Sequence, residues 1–366
     1  MASTPGTLVH HEIIDTGLKG ADAHRVRYTT HDVNGRTHEA SGLVIAPSGA
    51  GSDRPVFTWG HGTTGLGDAA CPSAQPDPAR ELVTYFDRGA SQQIDYGIPG
   101  VQAFIDDGWV VCATDYQGLG TPGMHQYMVS RSNARDTVNI VHAARALDVG
   151  AGVRVGCSGW SQGGGTAAAV AELDPGDYGE LRVVGTAPMS PGVASVALAS
   201  PTGPAAALTD PTTPPDSHLV MLLCGIQAAN PDRLALDDVF TPLGVSIIEQ
   251  GWNTQPVHHL DDTIARFFRL QGAVLRPDPQ NFDAWTAAIV AGSAAGRAPI
   301  CPVLVTVDSF GGGTVVPVGW QDGYIEAVEH LGGNVERRDY PDDDHFSLPG
   351  SCIADVKAWL TGRLGA

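Results

Sequence analysis

One serine of this chain is flanked by glycines in a pattern that is typical of a nucleophile. Residues 159–164 read Gly-Trp-Ser-Gln-Gly-Gly, with Ser161 as the third residue. A short apolar segment, residues 153–157, precedes the motif, and an alanine-rich segment that favours helix, residues 166–171, follows it. At such a strand-to-helix corner the backbone is crowded, so glycines flank the serine and its hydroxyl is exposed. The pattern predicts that Ser161 is a nucleophile and that the amide of Gln162 faces the atom it attacks.

A serine nucleophile needs a base to take its proton and an acid to orient that base. Where the serine stands at a strand-to-helix corner, the order along the chain is serine, acid, histidine. His345 is the best-placed downstream histidine, because it lies between a predicted last strand, residues 335–340, and a predicted terminal helix, residues 352–360. We therefore predict that His345 is the general base. This chemistry calls for no cofactor and no metal ion.

The segments around these residues alternate between strand and helix. Apolar segments typical of buried strands are residues 55–59, 109–114, 183–188 and 302–307, and segments with helical spacing are residues 99–107 and 131–149. This alternation favours a mainly parallel sheet with helices on both faces. An alternating pair of segments joined through residues 34–35, Asn-Gly, predicts a hairpin near the N-terminus. The sequence therefore predicts an α/β fold with a mainly parallel, doubly covered sheet.

A long stretch separates the last two of the buried strands. Residues 190–299 contain proline-rich turns and four amphipathic segments, and they are too many for a simple crossover. We predict that they form a helical cap inserted into a core made of residues 1–189 and 300–366. Such a cap shapes a substrate pocket.

Composition narrows the possible partners. The chain has 366 residues, of which 42% are hydrophobic and 17% charged, as expected for one large domain with an insertion. Its formal net charge of −19, with only 21 Lys and Arg residues, disfavours nucleic acid and anionic membrane surfaces. No apolar run reaches the length of a membrane span, so stable membrane insertion is not expected. The oligomeric state is left open.

The cysteines and an adjacent pair of histidines are the candidates for disulfide or metal sites. The even number of six cysteines hints at disulfides, and Cys301 with Cys352 is the predicted pair because these residues flank the last strand and helix. The adjacent His258 and His259 have no Cys or paired acids at ligand spacing, so they are interpreted as cap histidines.

Four motifs, in order and spread over nearly the whole chain, suggest a family. They are residues 59–65 (Trp-Gly-His-Gly-Thr-Thr-Gly), 114–123 (containing Asp-Tyr-Gln-Gly), 159–164 and 315–317 (Val-Val-Pro). The chain resembles in these motifs the secretory lipases of bacteria and fungi, α/β-hydrolases that include the yeast lipase A-type enzymes. The resemblance implies a serine esterase or lipase that forms an acyl-enzyme with a small ester or a lipid.

The resemblance also implies secretion. Residues 1–20 have neither the basic nor the apolar region of a signal peptide. A cytoplasmic location is therefore expected if Met1 is the native start.

For the oxyanion hole the resemblance implies the backbone amides of Gln162 and Asp115, with the Asp115 side chain shaping the same site. General reasoning for α/β-hydrolases instead selects the loop after residues 55–59, with the amide of Gly62 or Thr63 as second donor. We adopt Asp115 as the prediction.

The chain departs from the family at the acid. The family usually has the acid two residues before Val-Val-Pro, where this chain has Gly313. Asp308, at the end of the preceding strand, is the nearest replacement, and the glycines at 311–313 allow the loop to rearrange. Residues 342–344, three aspartates next to His345, are expected to point away from it. We therefore predict Asp308 as the orienting acid. The missing acid also leaves two alternatives open, an acyltransferase that uses the same acyl-enzyme and a catalytically weakened binding protein.

Overall fold

A nine-stranded sheet runs through the computed structural model, which describes residues 4–90, 94–201, 203, 213–310 and 315–365. The strands are β1 (Leu8–Ile14), β2 (Ala21–His31), β3 (Thr37–Pro47), β4 (Arg54–Gly60), β5 (Val110–Gln117), β6 (Ala151–Trp160), β7 (Arg182–Met189), β8 (Val303–Asp308) and β9 (Val335–Tyr340). Their order across the sheet is β1-β2-β3-β5-β4-β6-β7-β8-β9.

The sheet is parallel except at its N-terminal edge. Strands β4 to β9 pair in parallel, whereas β1, β2 and β3 pair antiparallel and β3 is antiparallel to β5. The hairpin predicted around residues 34–35 is confirmed as β2 and β3. Strand β1, which was not predicted from the sequence, pairs with β2 and extends this edge.

Helices cover both faces, as predicted. They are α1 (Val101–Asp106), α2 (Ser130–Arg145), α3 (Gln162–Val170), α4 (Pro175–Tyr178), α5 (Ala194–Ala199), α6 (Ser217–Ala229), α7 (Pro242–Gly251), α8 (Val257–Gln271), α9 (Phe282–Gly292), α10 (Val318–His330) and α11 (Leu348–Thr361). Short 3-10 turns occupy Asp68–Ala70, Pro72–Ala74 and Leu236–Asp238. Helices α2, α3 and α10 pack on one face of the sheet, and α1 and α11 pack on the other.

The insertion between β7 and β8 is helical over the part that the structure describes. Helices α5 to α9 lie in it, and α6, α8 and α9 share an apolar cluster with Leu66, Tyr127 and Val129 of the core. The four amphipathic segments are thus confirmed as helices. The division into residues 1–189, 190–299 and 300–366 stays a prediction. Among the described residues no helix has both the length and the hydropathy needed to cross a membrane.

The predicted disulfide between Cys301 and Cys352 is wrong. All six cysteines are described, and each is buried and free. Cys301 packs in the cluster on the α2 and α3 face, whereas Cys352 packs on the α1 and α11 face, beside Thr306. The two thiols are on opposite sides of the sheet.

Candidate active site

Ser161 occupies the turn between β6 and α3 in a conformation that is unusual for any residue except glycine. Its φ is +60° and its ψ is −115°. Its amide donates to Met189 O at 3.0 Å, and its carbonyl accepts from Gly165 N at 3.1 Å and Gly192 N at 2.9 Å. Such a strained residue persists only where surrounding contacts fix it, and strain of this kind clusters at functional sites.

The flanking glycines allow close packing of the backbone. A Cβ on Gly159 would lie 2.2 Å from Gly163 O, and a Cβ on Gly163 would lie 1.9 Å from Gly60 O. Neither glycine has a positive φ, whereas Ser161 does. The motif therefore reflects the contact between α3 and strands β4 and β6, while the serine itself bears the backbone strain.

His345 lies on the loop between β9 and α11 and is only 3% exposed. Its Nδ1 is 3.0 Å from Ser190 Oγ and 3.5 Å from Asp308 Oδ2, and its ring centroid is 5.0 Å from that of Trp160. The exposed Asp344 side chain accepts the backbone amides of Phe346 and Ser347 and so fixes the loop instead of orienting the ring. The structure thus brings the predicted base and the predicted acid together.

Asp308 is the last residue of β8 and is fully buried. Its Oδ1 accepts from Gln321 Nε2 at 2.7 Å, whereas its Oδ2 has no hydrogen-bond partner among the described residues and faces His345 at a distance long for a hydrogen bond. Burial raises the pKa of Asp308, but its polar contacts with His345, Ser190 and Gln321 outweigh burial and hold it below its ordinary value. Gly313, where the family has its acid, lies outside the described residues.

The pKa of His345 is lowered from its ordinary value. Burial is the main cause, and the neighbouring Asp308 carboxylate opposes it. The ring is therefore neutral at neutral pH, which is the state that can accept a proton.

Ser190 is a site residue that the sequence analysis missed. It follows β7, has a φ of +41°, and donates its amide to Thr306 O at 2.9 Å on β8. Its hydroxyl is closer to Nδ1 of His345 than the Asp308 carboxylate is. A polar residue directly after a buried parallel strand was the available signal, since the carboxyl ends of such strands meet at one edge of the sheet.

Gln162 begins α3 and lines the same cavity as Ser161. Its Nε2 lies 2.7 Å from His125 Nε2, and His125 Nδ1 donates to Gln117 O at 3.0 Å. Burial lowers the pKa of His125 to about 3, so its Nε2 accepts the amide proton. This contact fixes the side chain of Gln162 and leaves its backbone amide at the start of the helix.

Asp115 is directed away from the cavity. Its carboxylate accepts Ser73 N at 2.8 Å, Ser73 Oγ at 2.6 Å and Ser41 Oγ at 2.7 Å, and its carbonyl faces His61 Nε2 at 3.2 Å. Among the described residues Asp115 does not line the cavity beside Ser161, whereas Thr63, from the loop after β4, does. The geometry therefore favours the alternative donor, Thr63, over Asp115.

A cavity of about 730 Å³ opens beside these residues. Ser161, Gln162, Thr63 and His345 line it, together with Trp160. Much of the remaining wall is apolar and includes Tyr127, Met128, Leu219, Leu222, Val257 and Phe346. Because α6 and α8 supply part of this wall, the inserted helices shape the space in front of the serine.

Comparisons with known proteins bear on the family and the fold. Residues 88–197 match the sequence model of the family described as secretory lipase. The rice cell wall degrading esterase LipA from Xanthomonas oryzae superposes with a TM-score of 0.72 and 22% identity, covering 98% of this chain and 99% of that one. Candida antarctica lipase A in its closed state gives a TM-score of 0.70 and 12% identity, covering 98% of this chain and 83% of that one. No curated protein sequence matches significantly.

These findings confirm the α/β-hydrolase fold and the resemblance to secretory lipases. Because the structural relatives are less than 25% identical, they establish the fold alone. The family match supports a carboxylic-ester hydrolase.

Proposed function

We propose that this α/β-hydrolase, whose residues 88–197 match the secretory lipases, hydrolyses carboxylic esters through an acyl-enzyme on Ser161. One observation carries the proposal. A serine with a strained, positive φ shares a cavity with a buried histidine, and that histidine has a buried carboxylate 3.5 Å from its Nδ1.

Acylation begins when Ser161 Oγ attacks the ester carbonyl carbon. His345 takes the serine proton on Nε2, which requires the neutral tautomer with its proton on Nδ1. Ser190 Oγ and Asp308 Oδ2 are the acceptors available to that Nδ1 proton. Asp308 also stabilises the imidazolium that forms, and the protonated ring then gives its proton to the departing alcohol.

The negative oxygen of the tetrahedral intermediate needs two donors. We assign the backbone amides of Gln162 and Thr63, because both residues line the cavity at Ser161. Asp115 instead holds the neighbouring loops together through Ser41 and Ser73. Water activated by His345 then cleaves the acyl-enzyme and restores the serine.

The substrate class follows from the cavity wall. A volume of about 730 Å³ with many apolar side chains fits a small ester or one chain of a lipid. The acyltransferase alternative uses the same acyl-enzyme but passes the acyl group to an alcohol or amine. The ratio of transfer product to free acid, measured in water with an added alcohol or amine, distinguishes the acyltransferase from the hydrolase.

The experiment is hydrolysis of p-nitrophenyl esters of graded chain length by the parent protein and by Ser161→Ala, His345→Ala and Asp308→Asn. We expect activity in the parent and its loss in the first two variants. Retained activity in Ser161→Ala would refute the acyl-enzyme. A non-catalytic binding protein predicts no rapid labelling of Ser161 by a fluorophosphonate, whereas the esterase predicts rapid labelling.

The acid assignment has its own test. If Asp308→Asn is as active as the parent, Asp308 is not the acid, and a gain of activity in Gly313→Asp would mean that the family's usual position is merely vacant.

The secretory-lipase match also leads us to propose that the protein acts outside the cell. Fractionation of the native host checks this. Activity confined to the cell lysate would contradict secretion.

A further inference from the structure

A buried carboxylate in the wall of the catalytic cavity has no ion-pair partner among the described residues. Asp95 lines the cavity and is only 6% exposed. Its Oδ1 accepts Tyr85 N at 2.7 Å, and no side chain in the described part of the chain forms an ion pair with its carboxylate or a hydrogen bond with its Oδ2. The proposed esterase mechanism makes no use of this group.

The structure of the loop around Tyr85 does not require a charged side chain at position 95. A neutral amide oxygen at position 95 would accept the Tyr85 amide equally well, and burying an unpaired charge is unfavourable. The pKa of Asp95 is raised to about 7, chiefly by burial with a contribution from Asp87, while the Tyr85 amide and His218 oppose the rise. A titratable group perturbed by burial in a catalytic cavity marks a functional position.

The surroundings of Asp95 suit a cation. Tyr85, whose amide bonds Asp95, and Phe346, whose ring centroid is 5.4 Å from that of Tyr85, both line the cavity, and its described lining residues include no Lys and no Arg. A second carboxylate, Asp216, lies at the exposed rim, where His218 contacts its Oδ1 at 2.8 Å.

A neighbouring histidine adds no positive charge. His258 stacks on Tyr85 with ring centroids 3.6 Å apart, and burial lowers its pKa to about 4. A carboxylate and aromatic rings together are the groups that bind ammonium ions.

We propose that Asp95 and the aromatic walls of the cavity bind an ammonium group of the substrate, so that the preferred substrates are esters that carry a positively charged ammonium group. This inference rests on the proposed esterase function and specifies its substrate class. An anionic ester, by contrast, meets two carboxylates and no Lys or Arg in the described cavity wall.

Two substrates of nearly equal shape test the charge. Butyrylcholine carries a quaternary ammonium group, and 3,3-dimethylbutyl butyrate replaces that nitrogen by carbon. We expect kcat/KM to be at least about 10-fold higher for butyrylcholine, the range of one charge-assisted contact. Tetramethylammonium chloride should also inhibit hydrolysis of the neutral ester competitively, while sodium chloride at equal ionic strength should not.

Asp95→Asn separates charge from structure, because asparagine keeps an oxygen for the Tyr85 amide. The variant should lose the inhibition by tetramethylammonium, and the ratio of its kcat/KM values for butyrylcholine and the neutral ester should fall to about 1. Asp87→Asn is the matched control, since it removes the same charge from an exposed position on the same loop. If both variants lowered the preference for butyrylcholine equally, the preference would come from long-range electrostatics, and the proposed ammonium site would be refuted.

The preference should depend on pH. A raised pKa keeps Asp95 protonated at low pH, so the ratio of kcat/KM for the two esters should rise through about pH 7 in the parent. Using the ratio cancels the titration of His345, which affects both substrates alike. The ratio should stay flat in Asp95→Asn, and a pH-dependent ratio in that variant would contradict the role of Asp95.

The two proposals fail in different ways. If neither ester is hydrolysed and Ser161 is not labelled by a fluorophosphonate, the esterase proposal fails. If both esters are hydrolysed equally and tetramethylammonium does not inhibit, the esterase stands and the ammonium site is refuted.

Discussion

The two parts of the proposed catalytic machinery, the serine turn and the acid–base pair, are held in place by different kinds of contact. The serine turn, residues 159–165, is fixed by three backbone hydrogen bonds between 2.9 and 3.1 Å and by glycines whose replacement brings atoms within 2.2 Å. The acid–base pair, Asp308 and His345, meets at 3.5 Å, and the facing carboxylate oxygen has no other partner in the described chain. The nucleophile is thus held by backbone packing, whereas the orientation of the base depends on side chains.

The largest expected effect comes from removing the nucleophile. Ser161→Ala should lower kcat by roughly 10⁵- to 10⁶-fold, because no acyl-enzyme forms. The measurement is p-nitrophenyl butyrate hydrolysis. Ser158→Ala is the matched control, since Ser158 lies on the same strand and its hydroxyl only bonds Ala187 O, so it should keep near-parental activity.

Removing the acid should have a smaller effect. Asp308→Asn should lower kcat by roughly 10³- to 10⁴-fold, because the imidazolium loses its stabilising charge and His345 its preferred tautomer. Steady-state kinetics on the same ester measure it. The exposed Asp342→Asn is the control, and a loss as large as that of Ser161→Ala would remove the contrast between the two parts.

Breaking the packing of the serine turn should act on stability. Gly163→Ala places a Cβ 1.9 Å from Gly60 O, so the backbone must shift, and overpacking of this kind costs about 1 to 3 kcal/mol or more. Thermal unfolding compares it with Gly176→Ala, where a Cβ meets nothing within 4 Å. Equal melting temperatures would show that the turn is looser than described.

The hydroxyl of Ser190 should contribute less than the carboxylate. Ser190→Ala and Ser190→Gly both remove the contact to Nδ1 and should each lower kcat about 10-fold, the range of one hydrogen bond to a group that becomes charged. Glycine accepts the +41° φ without strain. A loss in the alanine variant alone would therefore point to the backbone and not to the hydroxyl.

The smallest expected effect is on pH dependence. Burial lowers the pKa of His345 and Asp308 raises it, so the acid limb of kcat/KM for a neutral ester should lie below pH 6.5 in the parent. Without the carboxylate the pKa falls further, and the acid limb of Asp308→Asn should move to lower pH. A shift to higher pH would contradict the assignment of the acid.

Local patterns predicted most of the fold and the core of the site. The alternation of strands and helices, the glycines around Ser161 and the loop position of His345 are all readable along the chain, as was Asp308 at a strand end. Ser190 and the separation of Cys301 from Cys352 were not, because they depend on which face of the sheet or wall of the cavity a side chain meets, and for the same reason Thr63 could be named only as an alternative to Asp115. The Asp115 motif likewise does not reveal that its carboxylate turns towards Ser73, and the role of its backbone amide stays a prediction.

A crystal structure of the protein with a phosphonate bound covalently to Ser161 tests the central claim most directly. We predict a phosphorus–oxygen bond to Ser161, a phosphonyl oxygen about 2.8 to 3.1 Å from the amides of Gln162 and Thr63, and His345 Nδ1 directed at Asp308. A reagent attached to another residue, or a His345 ring turned away from Asp308, would contradict the account.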